Sequence, residues 1–283
     1  RKEKSLLKFS KMQGTSDDYI FFNNTENVIT CPESFAIEFT DRHRSIGGDG
    51  IVLIERSEKA DAKMRIFNRD GSEGEMAGNS IRCVGKYLYD NGIVQKENIT
   101  VETASGIRSL ELFTRNGKVS SVTVDMGKAY LKPGEIPALL DGENIIARNA
   151  EIGGKEYSMT CVSVGNPHCV IFVDNVDKVD IEKTGPQIEN AEIFPERINT
   201  EFVRVVNRRT LKMRVWERGN GETLACGTGA CAAAVAAVLE GKCDKGKDIT
   251  VKLRGGDLIV NYTDEKITLT GDCNLVFTGE IEY

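Results

Sequence analysis

The sequence predicts an α/β fold of the α+β type, made of two pseudo-symmetric domains, each a mostly antiparallel sheet or barrel wrapped around a central helix. Three observations predict it. Residues 65–78, from Arg65-Ile-Phe-Asn-Arg-Asp-Gly-Ser-Glu73 to Gly78, reappear in altered form as Arg214-Val-Trp-Glu-Arg-Gly-Asn-Gly-Glu222 to Gly227. The same displacement of 149 residues pairs Asp17 with Asn166, Gly50 with Asn199 and Gly106 with Gly255, as duplication of one unit requires. Each motif copy is followed by a helix-like run and then by strand-like alternation.

The elements follow in order. After Gly78-Asn79-Ser80 comes Ile81–Asp90, with helical apolar spacing, a start that Asn79 or Ser80 can cap, and a stop at Asn91-Gly92. Strands are expected at Ile99–Thr103, Ser109–Phe113 and Val122–Asp125, the last two joined by a hairpin turn at Asn116-Gly117. In the second half, Val170–Val173 reads as an apolar strand. Ala230–Glu240 reads as a buried helix, being small and apolar all round. Strands at Ile249–Leu253, Leu258–Tyr262 and Ile267–Leu269 complete the copy. Domains of 1–127 and 128–273 are expected, with the active site in the cleft between them.

The 283 residues suffice for two cores of ordinary size. A formal net charge of −6 and the lack of a long basic run argue against nucleic acid or an anionic membrane as partner, leaving a small-molecule substrate. No apolar leader and no run of eighteen apolar residues is present, so a cytoplasmic location is expected. The eight cysteines form no CxxC pair, so no metal site is expected, and all but Cys226 are expected to pack as small buried hydrophobes.

Both motif copies end immediately before a helix start. There the unpaired backbone N–H groups and the macrodipole favour an anion such as a carboxylate. Cys226 is the best candidate general base, its thiolate expected to be stabilised at that position. Ala77 stands opposite it in the first copy. His168, in Gly165-Asn-Pro-His-Cys169, is expected in a turn, and His43, between Arg42 and Arg44, on the surface. A duplicated site with two bases on opposite faces of one carbon suits racemisation or epimerisation.

Several segments together resemble the diaminopimelate epimerases, cofactor-independent amino-acid epimerases. These are Phe9-Ser-Lys-Met12, Asp41-Arg-His43 with Gly47-Gly-Asp-Gly50, Phe67-Asn-Arg-Asp-Gly-Ser-Glu73, Gly78-Asn-Ser-Ile-Arg-Cys83, Gly165-Asn-Pro-His168, Phe194-Pro-Glu-Arg197 with Asn199, and Glu217-Arg218 to Gly229. The resemblance spans essentially the whole chain. It implies interconversion of LL- and meso-diaminopimelate in lysine and peptidoglycan precursor biosynthesis, a homodimer, no cofactor, and a last segment, 274–283, that completes the first domain. It implies that Cys226 is one of two catalytic thiols, with Glu217 and His168 as supporting polar residues. Gly78, Asn79, Gly227 and Thr228 would bind the α-carboxylate, while Asn68, Asn166, Asn199 and Arg218 would read the distal amino-acid centre.

Two positions depart from the family pattern. Ala77 replaces the second thiol, which implies an active-site Cys-to-Ala variant with little activity. Thr15-Ser16-Asp17 replaces Leu-Gly-Asn, and Asp17, if it contacts substrate, favours an ammonium over a carboxylate. A racemase of another amino acid on the same scaffold, or a non-catalytic amino-acid-binding homologue, is the alternative. A pyridoxal-phosphate racemase lacks an identifiable lysine motif.

Overall fold

The computed structural model describes residues 5–75 and 78–283. The chain divides into two compact units, the first running to Val124 and including Gly271–Tyr283, the second Asp125–Thr270. The first unit carries β1 (Leu6–Gly14), β2 (Asp17–Asn23), α1 (Pro32–Phe39), β3 (Gly50–Glu55), β4 (Ala62–Asn68), β5 (Glu73–Gly74), α2 (Gly78–Asp90), β6 (Asn98–Thr103), β7 (Gly106–Arg115) and β8 (Lys118–Asp125). The second carries β9 (Arg148–Ile152), β10 (Lys155–Ser163), β11 (Pro167–Phe172), α3 (Ile181–Glu189), β12 (Asn199–Asn207), β13 (Thr210–Glu217), β14 (Gly221–Thr223), α4 (Gly227–Leu239), β15 (Ile249–Leu253), β16 (Gly256–Tyr262) and β17 (Ile267–Asp272). A final strand, β18 (Asn274–Glu282), belongs to the first unit.

The displacement seen in the motifs is kept by whole elements: β1 and β10, α1 and α3, β3 and β12, and α2 and α4 each start 149 residues apart. Strand order repeats as well. The first unit runs β18-β1-β2-β3-β4-β6-β7-β8, with β5 added to β4. The second runs β9-β10-β11-β12-β13-β15-β16-β17, with β14 added to β13. Most pairs are antiparallel, but β2–β3 and β4–β6, and likewise β11–β12 and β13–β15, are parallel. A helix lies in each of those connections, and a parallel pair needs such a crossover. The mostly antiparallel sheets expected from the sequence are thus found, with these four parallel pairs among them.

Burial explains the layers. In β3, Ile51–Ile54 are wholly buried, a continuous apolar run that marks a strand covered on both faces. Alternate residues Ile51 and Leu53 join Ile20, Phe22 and Phe67 beneath Phe35 and Phe39 of α1. On the opposite face Phe21 stacks on Tyr87 of α2, with ring centroids 5.9 Å apart. In the second unit, β10, β11, β12, β13, β15 and β16 all lie against α4, whose residues Ala230–Ala237 are fully buried. Small side chains all round let a helix be enclosed in this way without displacing the strands, and Ala carries the best intrinsic helix propensity.

Turns and stops follow the sequence signals. Asn116 and Gly117 take φ values of 54° and 76° and join β7 to β8 as a two-residue hairpin. Gly92 and Gly241, at φ 71° each, follow the ends of α2 and α4. Both helices begin three residues earlier than expected, so Asn79 and Ser80 lie in the first turn of α2 and not before it. The repeated Arg and Glu of the motif are paired in both copies. Arg65 Nε and Nη2 donate to Glu73 at 2.8 and 2.9 Å, and Arg214 Nε and Nη2 donate to Glu222 at 2.7 and 3.0 Å. Each bidentate pair pins the short strand before the helix to the long one. One cysteine departs from expectation: Cys31, just ahead of α1, is exposed, while the other seven are buried.

Candidate active site

In the second unit the site is assembled by the register of β11, β12 and β13 under the start of α4. The parallel β11–β12 pair sets His168 beside Asn199 and Val170 beside Glu201. Asn199 holds the ends of two strands together, its Nδ2 donating to Pro167 O at 2.9 Å and its Oδ1 accepting from Arg218 N at 2.7 Å. Arg218 is half-buried, and its Nη1 donates to Glu196 O at 3.0 Å. Among the described residues it has no carboxylate partner. His168 lies inside β11 and is fully buried, which corrects the turn expected for it, whereas His43 is exposed.

Cys226 is the N-cap of α4, with extended backbone (φ −141°, ψ 111°) and a side chain turned back over the first turn. Its Sγ accepts from Gly229 N at 3.3 Å and lies 3.5 Å from Thr228 Oγ1. Gly229 leaves room for this arrangement, since a Cβ there would sit 2.8 Å from Glu201 Oε1 and 3.2 Å from Cys226 Sγ. Glu217, at the end of β13, accepts from Thr223 Oγ1 and lies close enough to the Cys226 thiol for the two groups to interact electrostatically.

A continuous set of polar contacts leads away from the thiol. Asn166 Nδ2 donates to Thr228 Oγ1 at 3.1 Å, and Asn166 Oδ1 is 2.8 Å from His168 Nε2. His168 Nδ1 is 2.7 Å from Glu201 Oε1. Glu201 is fully buried, and its Oε2 has no hydrogen-bond partner among the described residues. Burial pushes the Glu201 and Glu217 carboxyls above the usual range, with the nearby His168 opposing the rise in both.

The Cys226 thiol is also pushed well above its ordinary value, chiefly by burial and then by the charges of Glu217 and Glu201. The contact with the Thr228 hydroxyl and the hydrogen bond from Gly229 N–H oppose this without reversing it. The expected stabilisation of the thiolate is corrected accordingly: the helix-start donors are present, but burial outweighs them, and any charge carried by Glu217 or Glu201 adds to it. Cys226 therefore holds its proton more tightly than an ordinary thiol, with the Glu217 carboxyl beside it.

In the first unit the start of α2 is organised by a cation. Arg82 is fully buried, its Nη1 donating to Gly78 O at 3.1 Å and to Asn79 Oδ1 at 2.8 Å. Its Nη2 donates to Thr15 Oγ1 at 2.7 Å and its Nε to Asp272 O at 3.0 Å. Asn79 in turn donates from Nδ2 to Asp17 Oδ2 at 2.6 Å. Thr15 and Ser16 both have positive φ (48° and 74°) at the turn between β1 and β2. Asn68 is exposed, its Nδ2 donating to Ser72 Oγ at 3.0 Å. Ala77 lies outside the described residues.

Comparison with known proteins bears on this arrangement. The family profile described as diaminopimelate epimerase matches residues 9–132 and 160–276, a span that contains every site position named above. The chain belongs to the diaminopimelate epimerase family. It is 52% identical over 278 residues to the diaminopimelate epimerase of Acetivibrio thermocellus, covering 98% of this chain and 99% of that one. It is 50% identical over 280 residues to that of Methanococcus maripaludis strain DSM 14266, covering 98% and 100%. Among solved structures, a hydroxyproline epimerase from Agrobacterium vitis matches with a TM-score of 0.69 at 13% identity, covering 98% of this chain and 92% of that chain. A PhzF-family phenazine biosynthesis protein from Bacillus anthracis matches at 0.68 and 14%, covering 98% and 99%. At such identities the likeness concerns the two-domain fold alone.

Within this member of the diaminopimelate epimerase family, the structure joins Asn166, His168, Glu217, Cys226 and Thr228 in one cluster and links Asn199 to Arg218. It joins Asp17, Gly78 and Asn79 in another. Two buried groups of these clusters, Glu201 and Arg82, were given no role from the sequence, although Arg82 lies within the Gly78–Cys83 motif. A signal was present: the repeat sets Glu201 opposite Val52 and Arg82 opposite Cys231. A charge in one copy facing a core residue in the other marks a position that packing alone does not explain.

Proposed function

We propose that the chain is a cofactor-independent isomerase that interconverts LL- and meso-diaminopimelate by proton transfer at the α-carbon, in lysine and peptidoglycan precursor biosynthesis. The observation that carries the reading is the Cys226 thiol at the start of α4, flanked by Glu217, by the Thr228 hydroxyl and by the Gly229 N–H donor. Family membership supplies the substrate. Backbone N–H groups at the starts of α2 and α4 would hold the α-carboxylate, where charge develops as the proton leaves. Arg218, with Asn68, Asn166 and Asn199, would bind the distal amino-acid centre.

In this scheme Cys226 delivers a proton to one face of the α-carbon, and Glu217 takes up the thiol proton when Cys226 acts in the reverse direction. The opposite face needs a second base. Ala77 stands at the position where the family pattern has that thiol, so we read the chain as an active-site Cys-to-Ala variant that binds substrate and turns it over slowly. Loss of one general acid or base costs about 10²- to 10⁴-fold in rate. The proposal includes a homodimer acting in the cytoplasm. Among the described residues no helix is long and apolar enough to cross a membrane.

¹H NMR of LL- and meso-diaminopimelate in D₂O, with this chain and with Ala77→Cys, tests the reading. Rapid α-proton loss with inversion only in the Cys form is expected. Absence of exchange in both forms, with retained binding, would establish an amino-acid-binding protein instead. Asp17 carries a second reading, a racemase of another amino acid, because an anionic side chain beside Asn79 disfavours a further carboxylate. Exchange with other amino acids but not with diaminopimelate would establish it.

A further inference from the structure

We infer that Glu201 is a positioning residue of the thiol site: its buried carboxyl, against His168 Nδ1, fixes the Nε2–H form of that imidazole and thereby aims the Thr228 hydroxyl at Cys226 Sγ as a donor. The inference deepens the reading of Cys226 as an acid/base, and it rests on contacts that exist without substrate.

The argument follows the donors one by one. With the Asn166 amide set so that Oδ1 faces His168 Nε2, 2.8 Å away, Nε2 is the donor, because a carbonyl oxygen only accepts. The other end of the amide then faces Thr228, and its Nδ2 donates to Thr228 Oγ1 at 3.1 Å. With Oγ1 accepting from Asn166, the Thr228 hydrogen is free to turn to Cys226 Sγ, 3.5 Å away. Gly229 N–H already donates to the same sulfur, so a thiolate there receives two hydrogen bonds.

The direction of the chain is therefore set at its far end. A reversed chain is possible on the same heavy atoms. His168 would hold its hydrogen on Nδ1, Asn166 would turn over to donate to Nε2, Thr228 would donate to Asn166, and the thiol would donate to Thr228. That order favours the thiol. Glu201 decides between the two. A carboxyl proton held between Oε1 and Nδ1 keeps Nε2 a donor, whereas an ionised carboxylate would draw the single imidazole hydrogen to Nδ1. Complete burial and the unpartnered Oε2 disfavour a bare carboxylate here. The titratable groups acting on Cys226 are Glu217 on β13 and Glu201 on β12, with His168 on β11 acting on both carboxyls.

Two measurements on the protein as it exists test this. The chain has only two histidines, so ¹⁵N NMR of the imidazoles, assigned with His43→Gln, reads His168 directly. Hydrogen on Nε2 is expected, and a bare Nε2 with hydrogen on Nδ1 overturns the inference. The second measurement is the pH dependence of Cys226 alkylation by iodoacetamide, followed on its own peptide by mass spectrometry. Thr228→Val and Glu201→Met are expected to slow alkylation at a given pH about tenfold, as loss of one charge-assisted hydrogen bond implies, and together no further. Thr228→Ser, and Glu201→Gln with its amide donating to Nδ1, retain the parent rate. A role through charge alone gives the opposite sign, because removing a carboxylate eases ionisation, and a packing role gives no shift. Either result overturns the inference, and the imidazole spectrum decides it even if Glu201→Met does not fold. Failure of the epimerase reading leaves both readouts intact.

Discussion

Glu201 and Glu217 both hold their protons more tightly in the folded chain than an exposed carboxyl does, because burial penalises the charged form. A carboxyl whose folded value is raised contributes stability that is present below its unfolded value and is lost as pH rises through the folded one. Replacing Glu201 by Gln removes that loss. Thermal melts of Glu201→Gln against the parent chain should therefore nearly coincide at about pH 4 and separate in favour of the variant toward pH 8. Coincident melts across the whole range would show that the carboxyl titrates normally. Arg218 makes a different residue-scale prediction. Its guanidinium is half-buried and, among the described residues, lacks a carboxylate partner. Arg218→Lys should weaken diaminopimelate binding by about tenfold in calorimetry, because an ammonium cannot reproduce two parallel bonds to one carboxylate. Unchanged affinity would remove Arg218 from the binding site. Cys226 was legible in the sequence from its place at a helix start, and Asn166 and Thr228 through the family resemblance. The fate of the thiol proton was not, since it depends on Glu217 and on Glu201, a residue some 25 positions away that only strand register brings near.

The elements were legible to different degrees for physical reasons. Helices α2 and α4 announce themselves by spacing and by alanine content, and their ends by glycine, but their first turns are glycine and polar residues that carry no apolar period. Hence the expected starts came three residues late. The hairpin between β7 and β8 was readable because Asn116 and Gly117 tolerate positive φ. The parallel pairing of β2 with β3 was not, because short apolar strands read alike in either direction. At this scale Gly229 offers a test in which propensity and packing oppose each other. Gly229→Ala improves helix propensity by about 1 kcal/mol. Yet the new methyl meets Glu201 Oε1 at 2.8 Å and Cys226 Sγ at 3.2 Å. Overpacking of about 1–3 kcal/mol should win, giving a lower melting temperature together with altered Cys226 alkylation. A more stable protein with unchanged alkylation would show that the site yields easily.

At the scale of the molecule, each unit is one copy of the same strand order, and the outermost strand is β9 in the second and β18 in the first. Removing residues 274–283 should uncover the β1 edge and Phe9, whose ring contacts Phe277 at 5.9 Å and packs where a Cβ on Gly279 would approach within 2.6 Å. Hydrogen exchange of the truncated chain should show lost protection in β1, β2 and α1 and retained protection around α4. Equal loss in both units would mean that they fold as one cooperative body. The duplication itself was readable from a fixed displacement, whereas the return of β18 to the first unit followed only from the family resemblance, because nothing in its alternation says which strand it joins. That placement has a consequence for synthesis. The second unit draws all its strands from one uninterrupted stretch, so a nascent chain can finish it as soon as Thr270 has cleared the ribosome. The first unit, begun earlier, waits with an open edge on β1 until β18 has been translated. The half that is started first is completed last, and it is the half for which a chaperone has the longer window.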